Sequence, residues 1–326
     1  MKPVMCFVFC CFSALAMVAM VAMAAPEETY PNKPIRLVVP YLPGGSTDIL
    51  ARLMTAKLSA DWHQTIVIEN RAGAGGSIGT QVVSHAPSDG YTLLLAISSI
   101  VTSPAINPQS DADPLRVFIP ITLIARSPYR FVINPALPVS NIYEWHALAK
   151  AKPGSMNYGT AGIGSGVHLA VEYFKLMSGL DVNHVPYKGS PPAMNDLMGG
   201  QIQFMFGGTL STLAYTKSGR LKALAVTSLK RRPDSPDLPT IAETIVPHFD
   251  AGEWFGIFAP TGLSPKLLAK LQSAFRGVVN TPEILARLQA EGMEPSAGTA
   301  QDFFQFIKAE QVKWTKVAKV IKISPN

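Results

Sequence analysis

Ser46 and Thr47 follow two glycines in the run Val38-Val39-Pro40-Tyr41-Leu42-Pro43-Gly44-Gly45-Ser46-Thr47-Asp48, and these residue types at this spacing can hold an anion. Gly44 and Gly45 let the backbone approach a ligand, the hydroxyls can donate to it, and the first N–H groups of a following helix point outward with the positive end of the helix dipole behind them. A carboxylate or a phosphate is the ligand such a turn invites. The same grammar recurs in Gly73-Ala74-Gly75-Gly76-Ser77, after the apolar Ile66-Val67-Ile68, and in Gly162-Ile163-Gly164-Ser165-Gly166, after Asn157-Tyr158. One glycine-rich turn is weak evidence of a ligand, but three suggest a shared pocket.

Polar residues near these turns carry two readings each. Asp48 reads first as a helix cap and second as a brace that orients the turn over a ligand. Arg71 could grip a carboxylate in bidentate fashion or brace its own loop beside Glu69 and Asn70. His168, in the first turn of its helix, could donate to an anion or cap locally. Ser190, after Tyr187-Lys188-Gly189, is a ligand donor or an N-cap ahead of Pro191.

The inventory for catalysis is thin. The six histidines, His63, His85, His146, His168, His184 and His248, are scattered singly, so no metal site is expected. The P-loop lysine is missing and Ile78 stands where a dinucleotide fingerprint needs its third glycine, so no cofactor is expected either. Gly75-Gly76-Ser77-Ile78-Gly79 does spell the G-x-S-x-G nucleophile elbow, and Asp181 and His184 follow in hydrolase order. An elbow sits directly after its strand, however, whereas residues 70–74 intervene here, and Asp181 and His184 are unusually close together. A secreted serine hydrolase using Ser77 is therefore a minor alternative.

The elements that must position these turns alternate along the chain. Apolar runs over 35–40, 66–69 and 91–96 read as strands, with helical patterns over 48–60 and 77–85 between them, which is the rhythm of a parallel sheet covered by helices. Two further apolar stretches, 119–125 and 129–134, flank Arg126-Ser127-Pro128, a break that could mark a crossing into a second lobe. The alternation restarts with helix 142–151, strand 156–158, helix 167–177, strand 182–185, helix 192–198 and strands 202–206 and 221–228. A proline-rich connector over 233–247 leads to the aromatic strand 254–258, read as the return crossing. Helices over 265–280, 282–289 and 301–321 close the chain, with Leu267, Leu268, Leu271, Phe275 and Val278 at core spacing.

Lys2, an apolar stretch over 4–21 and the small-residue Ala22-Met23-Ala24 describe a secretory signal peptide, residues 1–24, with an uncleaved membrane anchor as the competing reading. All three cysteines, Cys6, Cys10 and Cys11, fall in this leader, so the mature chain has no disulfide framework and no thiolate nucleophile. An exported cysteine-free protein points to a bacterial periplasm. Loss of Lys2 lowers the formal charge from +6 to +5, spread along the chain. The short Lys230-Arg231-Arg232 cluster has no aromatic neighbours, which argues against nucleic acid. About 300 mature residues exceed what one core usually organises, so two lobes with a ligand cleft between them are expected.

A family resemblance rests on longer strings. Tyr30-Pro31-Asn32-Lys33-Pro34-Ile35 leads into Pro43-Gly44-Gly45-Ser46-Thr47-Asp48, followed by Glu69-Asn70-Arg71-Ala72-Gly73-Ala74-Gly75-Gly76 and Asp89-Gly90-Tyr91-Thr92-Leu93-Leu94. His184-Val185-Pro186-Tyr187-Lys188-Gly189, Leu224-Ala225-Val226-Thr227-Ser228 and Leu238-Pro239-Thr240-Ile241-Ala242-Glu243 continue it. Over essentially the whole mature chain these strings resemble the Bug receptors, the TctC-like periplasmic substrate-binding proteins of tripartite tricarboxylate transporters. The resemblance implies a fold of the type II periplasmic-binding-protein kind, with α/β lobes at 25–125, 126–253 and, returning to the first, 254–326. It implies a monomeric receptor that closes on a small di- or tricarboxylate or aromatic acid and delivers it to integral-membrane permease subunits. Carried onto this chain, the ligand loops are Tyr41 to Asp48 (Tyr41, Gly44, Gly45, Ser46, Asp48), Gly73 to Ser77 (Gly75, Gly76, Ser77), Ser98, and Tyr158 to Ser165 (Thr160, Ala161, Gly164, Ser165) with His168.

Two departures stand out. Receptors of this family commonly carry an acidic residue after the strand matching 203–206, where Gly207-Gly208-Thr209 stands here, which puts an amino-acid ligand in doubt and makes Gly207 a site position. Ala161 replaces a frequent serine and makes that wall less polar. A receptor that signals to a membrane sensor is an alternative that the sequence does not separate from transport. A purely structural exported protein is disfavoured, because glycine-rich helix openings contribute little to a scaffold.

Overall fold

The computed structural model describes residues 30–106, 113–290 and 292–321. The leader, with its cleavage point and the cysteines, lies outside the described residues. Contacts separate Met1–Lys33 from one body, Pro34–Asn326, and the fold is that of this body.

Short runs rich in Val, Ile and Leu form strands where helices cover both sheet faces. β1 (Ile35–Val39) pairs in parallel with β2 (Ile66–Asn70) and β3 (Thr92–Ile97), and the helices Ser46–Trp62 and Ser77–Ser84 make the crossovers. β4 (Phe118–Ile133) is followed by β5 (Asn157–Thr160), β6 (Asn183–Pro186), β7 (Phe204–Gly208), β8 (Lys222–Val226), β9 (Gly252–Pro260) and the short β10 (Glu294–Pro295). The sheet order is β2-β1-β3-β9-β4-β7-β5-β6, with β8 and β10 also paired to β4.

β4 corrects one expectation. The break foreseen at Arg126-Ser127-Pro128 is absent, and a single 16-residue strand runs through it. What changes there is the partner: β4 pairs with β9 through Pro128, then with β7 from Tyr129 and with β8 from Arg130. Proline cannot donate to a ladder, and a point where one ladder ends and another begins tolerates that loss.

Besides the one-turn helices Pro114–Val117 and Ile241–Thr244, two longer helices were not foreseen. Ser99–Ile106 is buried along most of its length and contains Pro104, so it shows no amphipathic stripe and carries a helix-breaking residue. Thr209–Lys217 is rich in threonine, a residue of weak helix propensity, and is held as a helix by burial of Thr209, Leu210, Ser211 and Thr212.

Two large apolar cores lie on either side of the partner switch. Tyr129, Phe131, Trp145, Phe174, Phe204, Phe206 and Phe249 form one, with Phe131 edge-on to Trp145 at 4.5 Å and stacked on Phe204 at 5.1 Å. Val38, Leu94, Phe118, Trp254, Phe258, Phe303 and Trp314 form the other. The last helix, Ala300–Ile321, reaches this second core, where Trp254 and Trp314 both donate their indole N–H to Glu310, at 3.2 and 2.9 Å.

Candidate ligand cleft

Three helices begin around one small chamber of about 30 Å³, room for about two or three water-sized groups. The turn after β1 brings Tyr41, Gly45, Ser46 and Thr47, the loop after β5 brings Ala161, Ser165 and Gly166, and Ser190 opens the third helix. Tyr129, Phe206, Gly208 and Glu253 complete the wall from β4, β7 and β9. Gly45 and Gly189 stand at N-cap positions without a side-chain hydrogen bond, so two of the three helices leave first-turn N–H groups uncapped by a side chain. Convergent helix N-termini favour an anion.

Beyond Tyr41 and Ala161, which line both spaces, lies a larger cavity of about 700 Å³. Gly75, Gly76 and Ser77 line one side of it and Gly164 the other, with Ile100, Ile106, Phe118 and Tyr187 between. The Tyr41 hydroxyl donates to the Gly75 carbonyl at 3.1 Å and also bonds Ser99; burial raises its pKa.

The loops from the two sides touch. Gly164 O accepts from Thr102 Oγ1 at 2.7 Å and from Ser103 Oγ at 3.1 Å. Gly75 has φ +65°, and a Cβ there would stand 2.7 Å from the Ile163 carbonyl oxygen. Only glycine combines that backbone conformation with that approach.

Several expected site residues stand behind the walls. Asp48 is buried in the helix and braces the turn: its carboxylate accepts from Gly44 N at 3.0 Å, from Asn70 Nδ2 at 3.1 Å and from Arg52 Nε and a terminal guanidinium nitrogen at 2.9 and 3.1 Å. Its favoured reading as a helix cap is therefore corrected, since its backbone partner, Gly44, precedes the helix. Burial alone would raise its pKa, but Arg52, Gly44 and Asn70 outweigh that and hold it low. Gly44 itself is exposed at the turn tip. Arg71 bonds Glu69, the bracing one of its two readings. Ser98 lies behind Gly166, where an added Cβ would run into its hydroxyl. Gly207 faces Thr212, and Gly208, one residue on, faces the chamber, because a strand turns successive residues to opposite sides.

Thr160 and His168 hold the loop from beneath. Thr160 Oγ1 bonds His184 Nε2 at 2.6 Å and accepts from Gly162 N at 3.2 Å, while His168 Nδ1 accepts from Gly164 N at 3.2 Å. His168 stacks on His184 at 4.1 Å, and His184 stacks on Tyr158 at 5.0 Å. Burial, with Lys175 adding to it, lowers the His168 pKa to about 4. Burial and the neighbouring His168 lower that of His184 to about 3. His184 thus spends Nε2 on Thr160 and its ring on two neighbours, an arrangement that braces a loop. Ser77 opens its helix in an exposed position after the 3-10 turn Ala74–Gly76.

Glu253 was missed from sequence. It is 9% exposed, its Oε2 has no hydrogen-bond partner among the described residues, and burial pushes its pKa up to about 8. The available signal was a lone acid in an otherwise apolar strand, Gly252–Pro260.

An α/β sheet with two cores, whose glycine loops meet over a chamber ringed by helix N-termini, defines a solute-binding protein. The chain belongs to the tripartite tricarboxylate transporter family of receptors, whose defining pattern matches residues 50–323. Protein BugT of Bordetella pertussis is 35% identical over 306 residues, 93% of this chain and 94% of that protein. Among solved structures, Rpa4515 of R. palustris with adipate is 34% identical with TM-score 0.88, covering 91% of this chain and 100% of that one. MatC of Rhodopseudomonas palustris with bound malate is 28% identical with TM-score 0.84, covering 89% and 100%.

Proposed function

We propose that this chain is a periplasmic receptor that encloses a small carboxylate and delivers it to integral-membrane permease subunits, acting as a monomer after its leader is removed. The observation that carries the ligand class is the chamber ringed by three helix N-termini, two of them without a side-chain cap, which favours an anionic oxygen pair. The similar receptors with adipate and with malate support the same class. The N–H groups near Gly45 and Gly166 would hold the carboxylate between Ser46 and Ser165, whose hydroxyls donate to Ser211 Oγ and Gly162 O until a ligand competes for them, and the body of the ligand would extend past Tyr41 toward Gly75, Gly76, Ser77 and Gly164. Asp48, Thr160 and His168 would act by positioning those loops.

The lobes proposed are 25–125 with 254–326, and 126–253, meeting where β4 exchanges β9 for β7 and β8. No catalytic step is proposed, since His184, the base a Ser77 hydrolase would use, is engaged by Thr160. Native mass spectrometry of protein purified without refolding should show a retained organic acid, and a thermal-shift panel should show stabilisation by dicarboxylates. Stabilisation by amino acids with none by plain carboxylates would overturn the ligand class.

A further inference from the structure

The register of β4 brings an acid to the place that Gly207-Gly208 leaves without one. Ser127 and Tyr129 point to the same face of β4, Glu253 pairs with the first and Gly208 with the second, so Glu253 and Gly208 are neighbours across the partner switch. A Cβ at Gly208 would lie 3.1 Å from Glu253 Oε2 and 2.2 Å from Ser46 Oγ. The glycine therefore makes room for a carboxyl supplied by β9, at the foot of the helix that opens at Ser46.

No cationic side chain lines the chamber beside that carboxyl, and burial outweighs what the helix N-termini offer its charged form. Tyr41 from the end of β1 and Tyr129 from β4 are the other ionisable side chains on the chamber wall, and burial raises the pKa of both. The turn at 45–47, the loop at 161–167, the helix start at 190–191 and the end of β7 bring no ionisable side chain. An unpaired buried carboxylate is costly, and such a group keeps its proton instead. A protonated carboxyl then needs an acceptor for its O–H, and the ligand is the acceptor the chamber is built to receive.

We propose that Glu253 is a specificity residue that binds as a neutral acid, its carboxyl O–H donating to an oxygen of the bound carboxylate, so that anion and proton occupy the chamber together. This rests on the carboxylate reading above. A carboxyl that titrates at about 8 in the free protein is protonated at neutral pH, and an anion beside it raises that value further. A ligand presenting an ammonium group would instead need the ionised form and would release a proton on binding.

Calorimetric titration of adipate and of malate into wild type and Glu253→Gln, between about pH 6 and pH 9, tests this. Wild-type affinity should be flat below about pH 7 and weaken about tenfold per pH unit above about pH 8, with one proton taken up per ligand in that range. Glu253→Gln, which keeps a neutral donor, should bind within a few-fold of wild type at pH 7 and lose the dependence. An infrared difference spectrum between the two ligand-free proteins at pH 7 should show a protonated carboxyl band. Binding that is independent of pH, binding that strengthens with pH, or an ionised carboxylate band would each overturn the inference while leaving the receptor reading standing. Failure of both acids to bind either protein would remove the carboxylate reading and the inference together.

Discussion

At the scale of single residues, three ionisable groups, two buried and one half-buried, give the protein opposed responses to pH. His168 and His184 are neutral in the fold, with pKa values of about 4 and about 3 against 6.5 for an ordinary imidazole. Below about pH 6.5 the unfolded chain takes up protons that the folded chain refuses, so stability falls with acidity until pH reaches the folded values. The expected slope is up to about 1.4 kcal/mol per pH unit for each histidine, and above pH 6.5 neither contributes one. Glu253 acts in the other direction: its folded pKa of about 8 exceeds the ordinary 4.5, so its contribution is complete below 4.5 and declines until about pH 8. Urea unfolding from about pH 4 to pH 8 should show a maximum near the middle of that range; His184→Gln should flatten the acid limb and Glu253→Gln the alkaline one. The glycine turns that meet at the candidate cleft could be picked out from sequence because a turn is written in adjacent residues. Glu253 was not, because its meaning comes from Gly208 and Ser46, which reach it through strand pairing.

At the scale of elements, the turn at 73–77 is built to be approached. Gly75→Ala would place an L side chain at φ +65° and 2.7 Å from a backbone oxygen that cannot move aside cheaply. Adipate affinity should fall at least tenfold, about 1.4 kcal/mol, while the melting temperature shifts by only a few degrees, because the contact joins two loops and no core. A variant that binds adipate as wild type does would show that the loops need not meet. Most strands and helices could be read from apolar period and glycine punctuation, since each is a local pattern. The helices Ser99–Ile106 and Thr209–Lys217 could not, because burial on most sides erases the stripe in one and threonine disguises the other. The end of β4 at Arg126 was misjudged for a related reason: Ser127-Pro128 reads as punctuation, and only the neighbouring strands reveal a change of partner.

At the scale of the whole molecule, a receptor of the proposed kind should contract when it fills. Small-angle scattering of ligand-stripped protein should give a larger radius of gyration than the same sample with saturating adipate, and equal radii would argue that the loops stay joined throughout. β4 decides how such a motion would have to occur. It belongs to the strand pairs on both sides of Pro128 without interruption, and β9 runs beside it there. Two joined ribbons bend as a flexure, with an elastic restoring force, and do not swivel like a pin in a socket. Glu253 sits in the ribbon next to the bend, opposite Ser127. Bound as the neutral acid proposed above, it would leave no net charge of its own beside that bend when the cleft fills.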